Sequence, residues 1–430
     1  MRVLLYGINY APELTGIGKY TGEMAEWLAA QGGARVTVVT APPYYPAWRI
    51  AAPYRGYAYR RERLRGVDVV RCPVFVPRRA TGPMRLLHLA SFALSSLPVL
   101  LWRAIRERPQ VIVVIEPPLF SAPAAWLAAR LAGADVWLHV QDFEVDAAFE
   151  LGLLPGRIRR VAESCERWLM RRFDRVTTIS SRMLDRLLAK RVPKSRASLF
   201  ANWVDLEQIR PLAEHAARRA TGETVVLYSG NMGRKQGLET VLRAAELLRD
   251  AGELRLKFVL CGDGVARMEL ERAAVALPNV TFRPLVPADQ LNRLLNEADI
   301  HVLPQRADAE DLVFPSKLTN MLASGRPVVA TASAGTQIAT LLEGCGLTVP
   351  PQDPAALAAA LRSLADDPQR RSALGAEARR TAERLWDKHS VLSAAFAPYR
   401  PAAIHGLEGA APAADRGQPE VAAALLRARR

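Results

Sequence analysis

Short apolar runs alternate with longer stretches of helical spacing from the first residues of this 430-residue chain. Val3 to Tyr6 reads as a buried strand, Thr21 to Ala30 gathers Met24, Trp27 and Leu28 on one side of a helix, and Val36 to Thr40 is again β-branched and apolar. These three predict a βαβ unit. Val111 to Ile115, Val136 to Val140 and Val176 to Ile179 continue the series, and strands apolar on both faces, separated by helix-like stretches, predict a parallel, doubly wound α/β sheet.

A second series begins at Val225 to Tyr228 and continues through Leu256 to Leu260, Val280 to Phe282, Ile300 to Leu303 and Pro327 to Ala330. Helices are expected at Gly237 to Arg249 and Pro354 to Ala365. The polar, Ala- and Arg-rich segment 213–223 reads as a connection. The expected organisation is a domain over 1–212, the linker 213–223, and a second domain over 224–385. A helix over 386–401 would return to the first domain, and 402–430 would form a loose tail. Two such sheets are expected to bind ligands beyond the carboxyl ends of their strands, in a cleft between the domains.

Composition adds one constraint. The chain is 50% hydrophobic and 23% charged, as a globular protein is, but its net charge is +15. The arginines crowd into 157–175 and 55–65 and are not interleaved with aromatics in any recognised nucleic-acid-binding pattern. A membrane surface is therefore the expected partner and nucleic acid is not. Leu86 to Ile105 is nearly apolar, contains His88, serines and Pro98, and is flanked by Arg85, Arg103 and Arg106. It is expected as a buried or interfacial helix rather than a span. Cys72, Cys165, Cys261 and Cys345 have no metal-ligand spacing, so free thiols and no zinc are expected. The opening residues run directly into a strand pattern, from which we expect a chain that is not exported.

Two segments carry candidate phosphate chemistry. In Tyr228-Ser-Gly-Asn-Met-Gly-Arg-Lys-Gln-Gly237 and in Glu310 to Ala330, a turn of small or polar residues meets the start of a helix and carries cations: Arg234 and Lys235 in one, Lys317 in the other. Either turn alone also reads as an ordinary strand-to-helix connection with exposed basic residues. The pair points to a nucleoside diphosphate. A third loop, Asn9 to Lys19, places Gly16 and Gly18 at a helix N-terminus, where backbone amides can approach a ligand. A dinucleotide fold would need an acidic residue at the end of the second strand, and here that strand ends in Thr40-Ala-Pro-Pro-Tyr-Tyr-Pro46, which argues against a nicotinamide enzyme. At the end of a central strand, Trp137 to Asp146 supplies His139, Asp142, Glu144 and Asp146. Alternation sends His139 and Asp142 to opposite faces, and a histidine within a buried strand is ordinarily a core residue, so Asp142 is preferred as the reactive group. No divalent metal is expected, because the cations at 234, 235 and 317 can neutralise a diphosphate.

The block Gly7-Ile-Asn-Tyr-Ala-Pro-Glu-Leu-Thr-Gly-Ile-Gly-Lys-Tyr-Thr-Gly-Glu-Met24, with Pro42-Pro-Tyr-Tyr-Pro46 and Val349 to Ala358, resembles family 4 glycosyltransferases of the GT-B fold over residues 1 to 400 or so. The opening is similar to the branch that builds colanic-acid-type exopolysaccharide, often described as fucosyltransferases. The resemblance implies two Rossmann-like domains and retaining transfer from a nucleotide sugar, with no cofactor. It implies that Gly16, Gly18, Gly230, Asn231, Lys317 and Asn320 bind the donor, that Arg234 and Lys235 hold its diphosphate, and that Asp142 stands near the reacting sugar. Tyr10, Glu13, Lys19 and His139 are the acceptor-side candidates. Many members carry a histidine where Asp142 stands, and the family's paired glutamates fall at Asn320 and near Asp311 or Leu312. The expected acceptor is a lipid-linked oligosaccharide met at the cytoplasmic face of the plasma membrane, with GDP-fucose as donor. The rivals are a nucleotide-sugar 2-epimerase, a soluble transferase with a small acceptor, and a non-catalytic membrane or nucleic-acid adaptor.

Overall fold

The computed structural model describes residues 1–13, 16–31, 33–45, 47–78, 81–150, 156–212, 222–307 and 316–400. The chain divides into two compact units: Met1–Ala201 with the segment beginning at Val391, and Asn202–Ser390. The division falls at Ala201, ahead of residue 212, and most of the expected linker (213–221) and the tail from 402 lie outside the described residues. The chain re-enters the first unit at Val391, where Phe396 packs 5.1 Å from the Trp137 ring and Arg175 donates to the Ala395 carbonyl at 2.7 Å.

The first unit holds eight strands: β1 (Arg2–Tyr6), β2 (Arg35–Thr40), β3 (Arg60–Leu64), β4 (Val67–Arg71), β5 (Val111–Glu116), β6 (Asp135–Val140), β7 (Arg175–Thr178) and β8 (Ala197–Leu199). Their order is β3-β4-β2-β1-β5-β6-β7-β8, all parallel except β3. The β3–β4 hairpin was not legible as strands, because Arg60-Arg-Glu-Arg-Leu64 has no apolar face. It pairs through a two-residue turn in which Arg65 and Gly66 both have positive φ, and its charges blunt the sheet edge. The core is built from strands that are apolar on both sides, β5 being buried along its whole length.

The helix expected near 86–105 runs from Gly82 to Glu107. His88, Phe92, Ser96, Leu100 and Ala104, at helical spacing, form its buried side. It is also long and apolar enough, by length and composition, to cross a membrane. It links β4 to β5, while the helices Ala122–Ala132 and Arg159–Met170 link β5 to β6 and β6 to β7. All three crossovers move the same way along the sheet, so right-handed connection puts these helices on one face and Gly16–Ala30 on the other.

The second unit is a six-stranded parallel sheet: β9 (Thr224–Asn231), β10 (Leu256–Asp263), β11 (Val280–Arg283), β12 (Ile300–Leu303), β13 (Val328–Thr331) and β14 (Gly346–Val349), ordered β11-β10-β9-β12-β13-β14. The expected helices are present at Leu238–Asp250 and Pro354–Asp366. In each sheet the order reverses beside the first strand, between β1 and β5 and between β9 and β12. Ligands of open α/β sheets bind beyond the carboxyl ends of the strands at such points.

Candidate functional site

In the second unit, β9 ends in Gly230 and Asn231 beside its switch point. Glycine is required at 230: φ is +141°, and a Cβ would stand 2.3 Å from Lys317 Cε and 2.6 Å from its Nζ. Lys317, on the helix Ser316–Ala323, therefore lies directly across the strand end. Its ammonium donates to the Tyr228 hydroxyl at 2.7 Å and stands 4.6 Å from that ring's centre, and the hydroxyl in turn donates to the Asn231 carbonyl at 2.5 Å. Among the described residues no carboxylate pairs with it. Burial pulls Lys317 down from 10.5 to about 8. A desolvated cation whose described partner is a phenol is arranged for an anion that arrives from outside. Tyr228 carries this arrangement and was not legible beforehand, since in sequence it is one more apolar-run residue.

The turn after β9 leads into the helix Leu238–Asp250, whose first amides have no side-chain cap because Gly237 precedes them with φ +65°. Such an end accepts phosphate oxygens. Close approach of β9 and β10 leaves no room for side chains: a Cβ on Gly262 would lie 1.9 Å from the Gly230 carbonyl oxygen, and one on Gly264 would meet Met232 backbone at 2.6 Å. Arg234 and Lys235 sit exposed on the one-turn segment Arg234–Gln236, Arg234 3.8 Å from Glu269. Asn231 is exposed at the strand end, and Asn320 is half-buried on the helix that carries Lys317. Residues 308–315, including Asp311 and Leu312, lie outside the described residues.

In the first unit the loop after β1 is fixed by Glu13. Its carboxylate accepts from the backbone N–H groups of Tyr44 and Tyr45, both at 3.0 Å, and from Asn9 Nδ2 at 3.0 Å. Gly18 makes room for it, since a Cβ there would stand 2.6 Å from Glu13 Oε2. Gly16 opens the helix Gly16–Ala30 with φ +61°. Arg71, fully buried and unmarked in the sequence reading, ties the same loops together by donating to the carbonyls of Ala11 (2.6 Å) and Ala41 (3.0 Å) and pairing with Glu62 at 2.5 Å. Glu13 thus pins two loops from the interior. Tyr10, expected on the acceptor side, is also interior: it is buried near the Arg71 guanidinium and its hydroxyl has no partner among the described residues. Lys19 stays near the surface, 3.7 Å from Glu23 and over the Tyr20 ring.

At the end of β6 the two candidates separate as alternation requires. His139 is buried against Phe200, with Nδ1 2.9 Å from Thr177 Oγ1 and Nε2 3.0 Å from the Gln141 amide. Burial, then the nearby Arg175, drives it down to about 3, so it is neutral. Asp142 is exposed on the loop that leads into the helix Glu144–Glu150. Behind it stands a group of acids that the sequence signalled only by a carboxylate closing the apolar run of β5. Glu116 is fully buried with neither oxygen partnered among the described residues, and burial followed by its acidic neighbours raises it well above the usual carboxylate range. Burial also raises Glu144 to about 7, although its carboxylate accepts from the Leu119 amide at 2.6 Å. Lys190 bridges Asp146 (2.9 Å) and buried Glu166 (2.5 Å). No set of three or more His, Cys, Asp or Glu among the described residues is placed to hold a metal ion.

Comparison with known proteins follows the same two-unit division. Residues 15–203 match the glycosyl transferase 4-like domain, and residues 223–367 match glycosyl transferases group 1. A protein of Escherichia coli K12 named as a colanic acid biosynthesis glycosyl transferase, WcaI, is 42% identical over 91% of this chain and 98% of its own length. The D-inositol 3-phosphate glycosyltransferase of Streptomyces avermitilis is 30% identical over 62% of this chain and 61% of its own. Among solved structures, sucrose-phosphate synthase from Thermosynechococcus elongatus superposes with a TM-score of 0.70 at 19% identity, over 93% of this chain and 98% of that one. WaaG, a glycosyltransferase involved in lipopolysaccharide biosynthesis, gives 0.61 at 17%, over 93% of this chain and 100% of its own. These structures share the GT-B fold, two Rossmann-like parallel sheets flanked by helices.

Proposed function

The chain belongs to the glycosyltransferases that join a 4-like domain to a group 1 domain, and on that premise we propose a retaining transfer of a sugar from a nucleotide-sugar donor to a lipid-linked oligosaccharide in exopolysaccharide synthesis. The observation that carries the donor half is Lys317, a buried ammonium laid over Gly230 and held by Tyr228 with no described carboxylate beside it. The donor's diphosphate replaces the phenol as its partner, with Arg234, Lys235 and the uncapped amides of Leu238–Asp250 completing the cradle. The bond between the anomeric carbon and the phosphate oxygen breaks, the acceptor hydroxyl oxygen bonds to that carbon from the same face, and its proton passes to the departing phosphate oxygen. Fixed cations stabilise the charge that grows on that oxygen, at a few kcal/mol each. Asp142, on its exposed loop in the first unit, is the group we assign to the reacting sugar. GDP-fucose is the proposed donor, and no metal takes part.

Peripheral attachment to the cytoplasmic side of the plasma membrane is part of the same proposal. The helix Gly82–Glu107 exposes Leu87, Leu94, Trp102 and Ile105 among Arg85, Arg103 and Arg106. On the same face of the sheet, Arg172 lies between the rings of Trp126 (5.9 Å) and Trp168 (4.7 Å). Apolar side chains ringed by arginines match an anionic bilayer surface.

Thermal unfolding against GDP-, UDP- and ADP-sugars, with and without EDTA, tests the donor half: a rise with one nucleotide class, unchanged by EDTA, is expected. In a transfer assay, Lys235→Ala and Lys317→Ala should each lose turnover strongly while remaining folded, and near-wild-type rates in either would overturn the mechanism. Flotation with phosphatidylglycerol vesicles at low salt tests attachment, and a protein that stays with the soluble fraction would refute it.

A further inference from the structure

Outside the loops described above, the first unit contains an open cavity of about 520 Å³ with three aromatic side chains in its wall, Trp48, Tyr57 and Phe75. It is a built structure. Ser91 of the helix Gly82–Glu107 accepts from the Phe75 amide at 2.9 Å, Ser95 donates to the Pro73 carbonyl at 2.5 Å, and Tyr59 donates to the Ser95 carbonyl at 2.8 Å, so segment 73–76 and the helix are laced together. Trp48 is held with φ +50° between the rings of Tyr44 (5.7 Å) and His88 (5.4 Å), and Tyr44 is the residue whose amide Glu13 fixes. His88 is buried, with Nδ1 on the Phe75 carbonyl at 2.6 Å and Nε2 without a partner among the described residues.

Two features give the cavity a chemical preference. Arg49 and Arg78 line it, both are exposed, and neither has a carboxylate within ion-pair distance among the described residues. Two guanidiniums at one aromatic cavity, neither with a described carboxylate beside it, mark a place for an anion. The second feature is the helix in its wall. Leu87, Ser91, Leu94, Pro98, Trp102 and Ile105 recur at helical spacing and fall within one stripe, so the face that borders the cavity through Ser91 continues as an apolar ridge.

We propose that this cavity binds the phosphate-bearing head of an amphiphile, with Arg49 and Arg78 on the phosphate, the aromatic wall against the adjoining group, and the apolar chain running along the Leu87–Leu94 ridge. The inference rests on the reading of the acceptor as a lipid-linked sugar, and it places the acceptor's lipid phosphate at a definite set of residues.

Dodecyl phosphate, kept below its micellar concentration, serves as the probe, with inorganic phosphate and dodecanol as its two halves. Trp48 reports directly, so binding to the full-length protein is read as the fluorescence change that Trp48→Phe abolishes. Saturable binding of dodecyl phosphate is expected, at least about tenfold tighter than that of inorganic phosphate and weakened about tenfold or more in an Arg49→Ala/Arg78→Ala double variant. Nucleotide-induced thermal stabilisation of the double variant should match the wild type, which shows that the fold and the donor site are intact. Equal binding by wild type and double variant overturns the proposal, and so does inorganic phosphate binding as tightly as the amphiphile. The lipid-acceptor reading fails separately, if the enzyme glycosylates a water-soluble oligosaccharide as readily as a membrane extract.

Discussion

Replacing Lys317 with methionine is expected to strengthen the empty protein and to weaken its hold on a nucleoside diphosphate. Burial pulls this ammonium from 10.5 to about 8, a penalty on the charged form of about 3 kcal/mol. The sign follows from proton counting. Between about 8 and 10.5 the folded chain binds fewer protons at this group than the unfolded chain does, so its contribution to stability rises with pH across that window. Below pH 8 or so the whole penalty is present. Methionine has similar length and no charge. It removes the penalty and forfeits the hydrogen bond to Tyr228, worth about 1 kcal/mol, while the Tyr228 hydroxyl keeps its bond to the Asn231 carbonyl. The net gain is about 2 kcal/mol near pH 7, or roughly 4–8 °C in the midpoint of a unit this size. It should vanish by about pH 10, where the folded lysine is already neutral and the penalty that remains no longer exceeds the lost hydrogen bond. Thermal unfolding of wild type and variant at about pH 7 and about pH 10, each with and without the nucleoside diphosphate, reads both effects. A variant less stable than wild type at the lower pH, or one that keeps the full nucleotide-induced rise, would refute the reasoning.

Three further outcomes are expected. Gly230→Ala puts a Cβ 2.3 Å from Lys317 Cε at φ +141°, so it should cost the second unit about 1–3 kcal/mol and weaken nucleoside-diphosphate binding by roughly tenfold or more; calorimetric titration giving an unchanged affinity would contradict this. His139 and His301 are each pushed down to about 3 by burial, so the stability tied to their neutral forms is complete above about 6.5 and is lost as pH falls toward 3. At about pH 5 each withdraws about 2 kcal/mol, and His139→Gln should narrow the gap between unfolding midpoints at pH 7 and pH 5; an unchanged gap would show that this histidine is not held neutral. Asp142→Asn changes an exposed side chain, so it should leave the unfolding midpoint within about a degree of wild type while turnover falls by about tenfold or more; wild-type turnover would remove Asp142 from the mechanism.

What the sequence determined by itself was the pair of α/β units and the places where their loops carry chemistry. Strands buried on both faces read as unbroken apolar runs, and glycines beside cations at strand ends stand out against them, so β1, β2, β5 to β7, β9 to β13 and the segment 228–237 were all legible. The hairpin of β3 and β4 was not, because a charged edge strand satisfies its backbone through its neighbour and leaves no periodicity to detect. The sequence marked Gly18 as a donor contact and Glu13 and Tyr10 as acceptor-side candidates, but not what holds them. That belongs to the tertiary structure: Glu13 accepts from two amides contributed by a loop some thirty residues later, Gly18 is the gap that lets it do so, and Tyr10 is interior. Lys317 was visible as a cation, but its depressed proton affinity comes from burial, and its seat against Tyr228, 89 residues earlier, exists only because Gly230 has no Cβ. Glu116, Glu144 and Lys190 likewise acquire their character from burial and from each other. Backbone pattern is a local property that neighbouring residues record, whereas desolvation and charge pairing are set by residues distant in the chain, and only the folded arrangement brings them within reach.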